Sequence, residues 1–394
     1  MKKFIKSRIS KLVASSTALT LALSSVPFNV FASNTADTVI TIYHTNDMHG
    51  NVKDLANVKT LKDATKNSIL VDAGDCTQGS ALATYTKGEA IIEIMNATSY
   101  DAIALGNHEF DFGSQKAIDN MKKAKFSPLA ANVMNNKGEL ILNGINNGNG
   151  ANVIKEIDGK KIGIFGLTTE ETAYKTNPKN LNGVEFKSVI ETAKKQVEIL
   201  KKQNVDAIVA VTHLGNDASS NPTSIDLAKE VPELDLIIDG HSHTIIQEKV
   251  GDVTVVQTGT GLKNLGKVEL NFKGNDLSIN YELLNMEEVV KENKANETVS
   301  SVYNKYDNTV SETLKEVIGK TTTELYAYAE DGTRIVRIEE TPMGDLIADA
   351  MVFGAKKLLE TTEYKNLPIV ALENGGGVRS SISAGDITLE DVFN

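Results

Sequence analysis

Six histidines occur in the whole chain: His44, His49, His108, His213, His241 and His243. Five of them fall in short segments rich in acids, amides and glycine. These segments are Asp47-Met48-His49, Gly106-Asn107-His108-Glu109-Phe110-Asp111, Thr212-His213-Leu214-Gly215 and Gly240-His241-Ser242-His243, and a further segment is Gly74-Asp75. One isolated histidine is ordinarily a core or surface residue, and the joint pattern is what carries information. Two closely spaced cations need many nitrogen and oxygen ligands, with at least one carboxylate shared between them. Imidazole, carboxylate and amide groups from separate segments meet that demand. Glycine next to a ligand lets the backbone turn so that the side chain enters a common cleft.

A second kind of chemistry gathers near the end of the chain. The only arginines are Arg8, Arg334, Arg337 and Arg379, in a protein otherwise built with lysine. The planar guanidinium binds phosphate through two parallel donors, which a lysine ammonium cannot do. Arg379 follows Asn374-Gly375-Gly376-Gly377-Val378, a loop whose free N–H groups could also face an anion. Cys76 adjoins Asp75 and reads as a small packing residue.

The elements that must position these groups are legible as short apolar runs. Strands are expected over 39–43, 69–73, 102–105, 161–166, 206–212, 235–239 and 253–257, and helices over 90–95, 114–124 and 188–203. Such alternation predicts an α/β domain with a largely buried sheet. The histidine segments then lie at or just past strand ends, where ligand crevices form in open α/β sheets. Runs at 267–272 and 277–284 around Gly274-Asn275-Asp276 predict a hairpin. Residues 286–320 read as a connecting helix. A second α/β piece follows, with a helix over 341–359 and a strand over 367–372.

The first 32 residues differ from the rest. Lys2, Lys3, Lys6, Arg8 and Lys11 precede an apolar stretch that ends in Val30-Phe31-Ala32, which predicts a secretory signal peptide cleaved after Ala32 and a secreted or cell-surface protein. The chain carries a net charge of -11, and loss of that leader would make it more acidic still. An acidic protein is a poor partner for nucleic acid polymers, because neutralising their phosphates needs a basic face. With Cys76 as the single cysteine, an intramolecular disulfide is impossible. No cysteine-based or Ser/His/Asp catalytic motif competes with the metal reading.

The order D-x-H, G-D, G-N-H-E-x-D, T-H-x-G, G-H-S-H is similar to the calcineurin-like metallophosphoesterase superfamily. Tyr43-His44-Thr45-Asn46-Asp47-Met48-His49-Gly50 and Gly106-Asn107-His108-Glu109-Phe110-Asp111 resemble its bacterial 5′-nucleotidase and UDP-sugar hydrolase branch. The resemblance runs from about Thr38 to Asn394. It implies a four-layer α/β/β/α metallophosphoesterase domain over 33–285, a linker helix over 286–320 and an incomplete α/β substrate-binding domain over 321–394. It implies two divalent ions (zinc, manganese, cobalt or iron). Asp47, His49, Asp75 and His243 would hold one; Asp75, Asn107, His213 and His241 would hold the other, with Asp75 bridging. His108 would act on the phosphoryl group or the leaving oxygen, oriented by Asp111. His44 falls outside the ligand set and reads as structural support for its loop. Arg379 and Arg337 fit the family's substrate arginines; Arg334 fits only with one residue missing from the spacing.

The implied reaction is hydrolysis of a nucleotide phosphate ester by a metal-bridging hydroxide. The same centre could instead serve a 2′,3′-cyclic nucleotide or a UDP-sugar, and a non-catalytic binding protein is the third reading. Family members continue past the position of Asn394 with the aromatic residues that clamp a base, so the chain is expected to be truncated there.

Overall fold

The computed structural model describes residues 37–274 and 276–393, apart from the side chain of Asn147; the expected leader lies outside the described residues. In chain order its strands are β1 (Thr38–Thr45), β2 (Ser68–Asp72), β3 (Ala102–Ala104), β4 (Ser127–Leu129), β5 (Val133–Asn135), β6 (Asn152–Ile157), β7 (Lys160–Thr168), β8 (Val184–Phe186), β9 (Ala207–His213), β10 (Leu236–Ile238), β11 (Ile245–Val250), β12 (Val253–Thr258), β13 (Asn264–Lys273), β14 (Asp276–Asn285), β15 (Val317–Thr321) and β16 (Gly385–Thr388).

Twelve of them form two six-stranded sheets, ordered β14-β13-β1-β2-β3-β4 and β11-β12-β10-β9-β7-β6, and β5 with β8 and β15 with β16 form two-stranded sheets. Strands β1 to β4 are mutually parallel, and the β13–β14 hairpin joins β1 antiparallel. In the second sheet β12, β10, β9 and β7 are parallel, with β11 and β6 antiparallel at the edges. The two sheets pack face to face over Ile40, Ile42, Ile69 and Val71 from one and Ile162, Ile164, Val209 and Val211 from the other. Their outer faces are covered by helices. Leu70 and Ile103 meet the helices Leu55–Ala64 and Glu89–Thr98, while Phe165 and Ala210 meet Val189–Lys202 and Ser224–Glu230. The result is an α/β/β/α sandwich. Because the central strands are buried on both faces, they read as continuous apolar runs rather than as alternation. All the parallel strands point their carboxyl ends to one edge, and the ligand segments follow them there. Among the described residues no helix is long and apolar enough to cross a membrane.

Two sequence expectations need correction. The stretch 286–320 is two helices, Met286–Glu292 and Glu297–Leu314, broken where Asn296 caps the second one through the N–H groups of Thr298 and Val299. Its last residues are strand: Val317 and Ile318 open β15, which pairs antiparallel with β16. The run 367–372 is not a strand. No strand among the described residues pairs with it, and Leu367, Val370 and Leu372 are exposed. Apolar content gives a segment strand character only when a neighbour takes up its backbone hydrogen bonds. The C-terminal part is otherwise held by a small core of Ala327, Met343, Val378 and Ile382. Its helix Pro342–Leu359 starts with Pro342 in the first turn and Thr341 capping the N–H of Gly344.

Candidate metal centre

Most of the candidate ligand residues sit on turns, while His213 ends β9. Asp47, His49, Asp75, His241 and His243 all have positive φ, between 47° and 82°. Non-glycine residues adopt that conformation at a cost of about 1–3 kcal/mol each, and clusters of them mark functional sites. Two glycines permit the close packing of these turns. A β-carbon on Gly106 would stand 2.2 Å from Asp75 Oδ1, and one on Gly240 would stand 2.8 Å from His213 Nδ1.

Two triads result. Asp47, His49 and His243 form one, and Asp75, His213 and His241 the other, with the donor atoms of each triad within 4.8 Å of one another. In the first, His49 Nε2 lies 3.0 Å from His243 Nε2, which lies 3.4 Å from Asp47 Oδ1. In the second, His213 Nε2 lies 3.0 Å from Asp75 Oδ2. Atoms held at about 2.1 Å by one cation stand about 3.0–3.4 Å apart at octahedral or tetrahedral angles. The ring orientations agree with this use. His49 Nδ1 faces the carbonyl of Gln78 at 3.2 Å and His213 Nδ1 faces that of Ala73 at 2.7 Å. A carbonyl only accepts, so each Nδ1 carries a proton and each Nε2 is the nitrogen directed at the cleft. Asn107 Oδ1 is buried without a hydrogen-bond partner. Buried polar atoms of this kind need an explanation, and a cation supplies one. The residues fit two divalent ions.

His108 lies beside the triads, its ring centroid 5.3 Å from that of His49. Its backbone N–H donates to Asp75 Oδ1 at 2.7 Å, and its Nδ1 stands 2.6 Å from Asp111 Oδ2. Burial disfavours a charged ring there, yet the carboxylates of Asp75 and Asp111 outweigh it and raise the pKa.

Four acids outside the sequence-derived set shape the centre. Glu109 accepts from the N–H groups of Asp75, Cys76, Thr77 and Gly106 at 2.7–3.2 Å, tying two ligand turns together. Asp72 accepts from Gly74 N–H and the Thr45 hydroxyl. Asp239 accepts from the N–H groups of Leu214 and Gly215 and from the Thr212 hydroxyl. Glu171 stands against His241. Glu109 lies within the Gly106–Asp111 motif, Asp72 ends β2 and Asp239 directly follows β10, each acid just ahead of a candidate ligand turn. Those were the available signals; Glu171 offered none.

His44 stays apart from the triads. It is fully buried in β1, stacked on Tyr281 at 5.9 Å, and burial holds its pKa down to about 3. Cys76 is buried in the helix-side core.

The arginines divide. The charge of Arg379 is felt at both His49 and His108, so it lies within electrostatic reach of the metal edge. Arg337 ends a short helical turn, Ile335–Arg337, that packs against the glycine loop at Gly375. Arg334 donates from Nε and Nη2 to the carbonyl oxygens of Gly376 and Val378, so it braces the glycine loop.

A two-sheet sandwich with doubled His/Asp clusters at its strand ends defines a metallophosphoesterase. The calcineurin-like phosphoesterase family profile matches residues 40–244, and the 5′-nucleotidase C-terminal domain profile matches residues 317–394. The chain belongs to the calcineurin-like phosphoesterases and carries a 5′-nucleotidase C-terminal domain. It is 32% identical over 398 residues to the trifunctional nucleotide phosphoesterase YfkN of Bacillus subtilis, covering 90% of this chain and 26% of YfkN. It is 31% identical over 408 residues to a Vibrio cholerae 5′-nucleotidase, covering 90% of this chain and 70% of that one. Among solved structures, a 5′-nucleotidase precursor from Thermus thermophilus superposes with a TM-score of 0.71 at 27% identity, covering 90% of this chain and 73% of that one.

Proposed function

We propose that this protein is an exported, two-cation phosphohydrolase that cleaves phosphate esters of nucleotides in the 5′-nucleotidase manner. The observation that carries the reading is the pair of adjacent triads, with the buried Asn107 Oδ1 left without a hydrogen-bond partner. When bound, two divalent ions supply Lewis acidity and a nucleophile available at neutral pH.

The chain's own residues do the rest. Asp75 belongs to the second triad, with Oδ2 toward His213 and Oδ1 accepting from His108 N–H, and its charge is also felt at His49 of the first, which supports a carboxylate serving both cations. Asp111 fixes the His108 proton on Nδ1 and favours the imidazolium, whose second N–H can then donate. As water adds to phosphorus and the ester P–O bond breaks, His108 gives that proton to the departing oxygen. Arg379 contributes a fixed positive charge at the same edge, suited to the non-bridging phosphate oxygens.

The relative named a trifunctional nucleotide phosphoesterase favours a second reading, in which the same centre acts on more than one kind of nucleotide ester, with a 2′,3′-cyclic nucleotide or a UDP-sugar as candidates beside AMP. A substrate panel of AMP, 2′,3′-cyclic AMP, UDP-glucose and an aryl phosphate, with and without chelator, tests both readings. Chelator-sensitive phosphate release from AMP is expected, and its absence rejects the nucleotidase reading. Export is supported by the basic and apolar order of residues 1–32. Intact mass of protein from the medium should correspond to a start at Ser33; a species that retains the leader rejects it.

A further inference from the structure

Glu171 follows the carboxyl end of β7 and precedes the short helix Thr172–Lys175. It is only 2% exposed. Its Oε2 lies 2.8 Å from Lys175 Nζ and 3.3 Å from His241 Nε2. Its Oε1 is buried and has no hydrogen-bond partner. Lys175 Nζ stands 3.0 Å from the same His241 Nε2. Glu171 nevertheless lies outside the triad of Asp75, His213 and His241.

These contacts distinguish the two nitrogens of the His241 ring. An ammonium 3.0 Å from Nε2 occupies the direction from which a divalent cation would approach that atom, and the two charges repel. That leaves Nδ1 as the nitrogen for the cation. A ring bound through Nδ1 carries its proton on Nε2, and that proton needs an acceptor. Lysine has no acceptor atom, whereas the Glu171 carboxylate has several lone pairs and one oxygen still unused.

We infer that Glu171 is a positioning residue for His241: when His241 Nδ1 holds the second cation, Glu171 accepts the Nε2–H and fixes the ring's tautomer and direction. Lys175 stays paired with Glu171 and gives up its contact with the ring. This rests on the two-cation reading above.

The test uses the full chain, stripped of metal and titrated with zinc against a chromogenic chelator. Glu171→Ala should weaken the second equivalent by about 10–100-fold, the usual effect of losing a carboxylate behind a histidine ligand, and leave the first unchanged. Glu171→Gln, whose amide oxygen still accepts, should recover most of that loss. Two equivalents bound by Glu171→Ala as tightly as by the unsubstituted chain overturn the proposal, and so does equal weakening of both. Nitrogen-15 spectra of the unsubstituted zinc-loaded chain put the question without a substitution. A protonated His241 Nε2 with a metal-shifted Nδ1 supports the assignment, and the reverse pattern overturns it. If the unsubstituted chain takes up fewer than two equivalents, the two-cation reading itself fails, and this proposal falls with it.

Discussion

His213 Nδ1 lies 2.7 Å from the carbonyl oxygen of Ala73, and that contact turns the other ring nitrogen toward Asp75. The consequence is a competition between proton and cation for one atom. Without metal, burial disfavours a charged ring, but Asp75 and Asp47 outweigh it and hold the pKa of His213 up to about 10. At neutral pH the proton must therefore leave as the cation arrives. Affinity at this site should rise about tenfold per pH unit from this group alone and level off above about 10. Calorimetry in buffers of different ionisation enthalpy measures the release; a cation bound at pH 7 with no proton released contradicts the assignment.

His108 and Asp111 form a separate unit from the ligands. His108→Ala should keep both metals and lower kcat by roughly 10²–10⁴, the range for a lost acid or charge-stabilising group. Asp111→Asn should cost less, because the ring remains but its preferred tautomer is no longer enforced. Metal analysis alongside kcat decides the matter. Loss of metal from His108→Ala would make it a ligand.

Glu109 is the buried brace of the Asp75 and Gly106 turns. Glu109→Ala leaves the N–H groups of Asp75, Cys76, Thr77 and Gly106 without their acceptor. Each buried group so stranded costs about 1–3 kcal/mol, so a loss of at least about 3 kcal/mol is expected in urea unfolding of the metal-free protein. A change below about 1 kcal/mol would show that water replaces the carboxylate.

Arg379 and Arg334 should behave differently although both adjoin the glycine loop. Arg379→Ala should raise KM for AMP by about 10–100-fold with metal content unchanged, as expected for one lost charge-assisted pair. Arg334→Ala should loosen the loop and lower the unfolding temperature, because its bonds go to Gly376 and Val378. Equal KM effects with unchanged stability would put Arg334 in contact with substrate after all.

How far the sequence reveals this site depends on whether a residue acts locally. Asp47, His49, Asp75, Asn107, His213, His241 and His243 stood out because ligand types recur beside glycines at strand ends, and the structure brings all seven to one edge. Asp72, Asp239 and Glu171 did not stand out. Asp239 and Glu171 act on the backbone or ring of a segment remote in sequence, and Asp72 ties its own turn at Gly74 to the Thr45 hydroxyl, partners that only the packing of β1, β2, β7 and β10 brings near. The buried strands were readable as apolar runs, but short edge strands such as β4 and β5 have too few residues to show a pattern. The run 367–372 shows the opposite failure, since its composition suits a strand and nothing in the described structure pairs with it.

The central claim is that these seven side chains form one two-cation centre for phosphate ester hydrolysis. Its most direct test is to strip the full chain of metal, add back manganese or zinc in steps, and follow phosphate release from AMP. Activity should be absent at zero equivalents, rise steeply, and reach its plateau at two equivalents per chain. Activity that survives complete metal removal, or that reaches its plateau at one equivalent, would contradict the account.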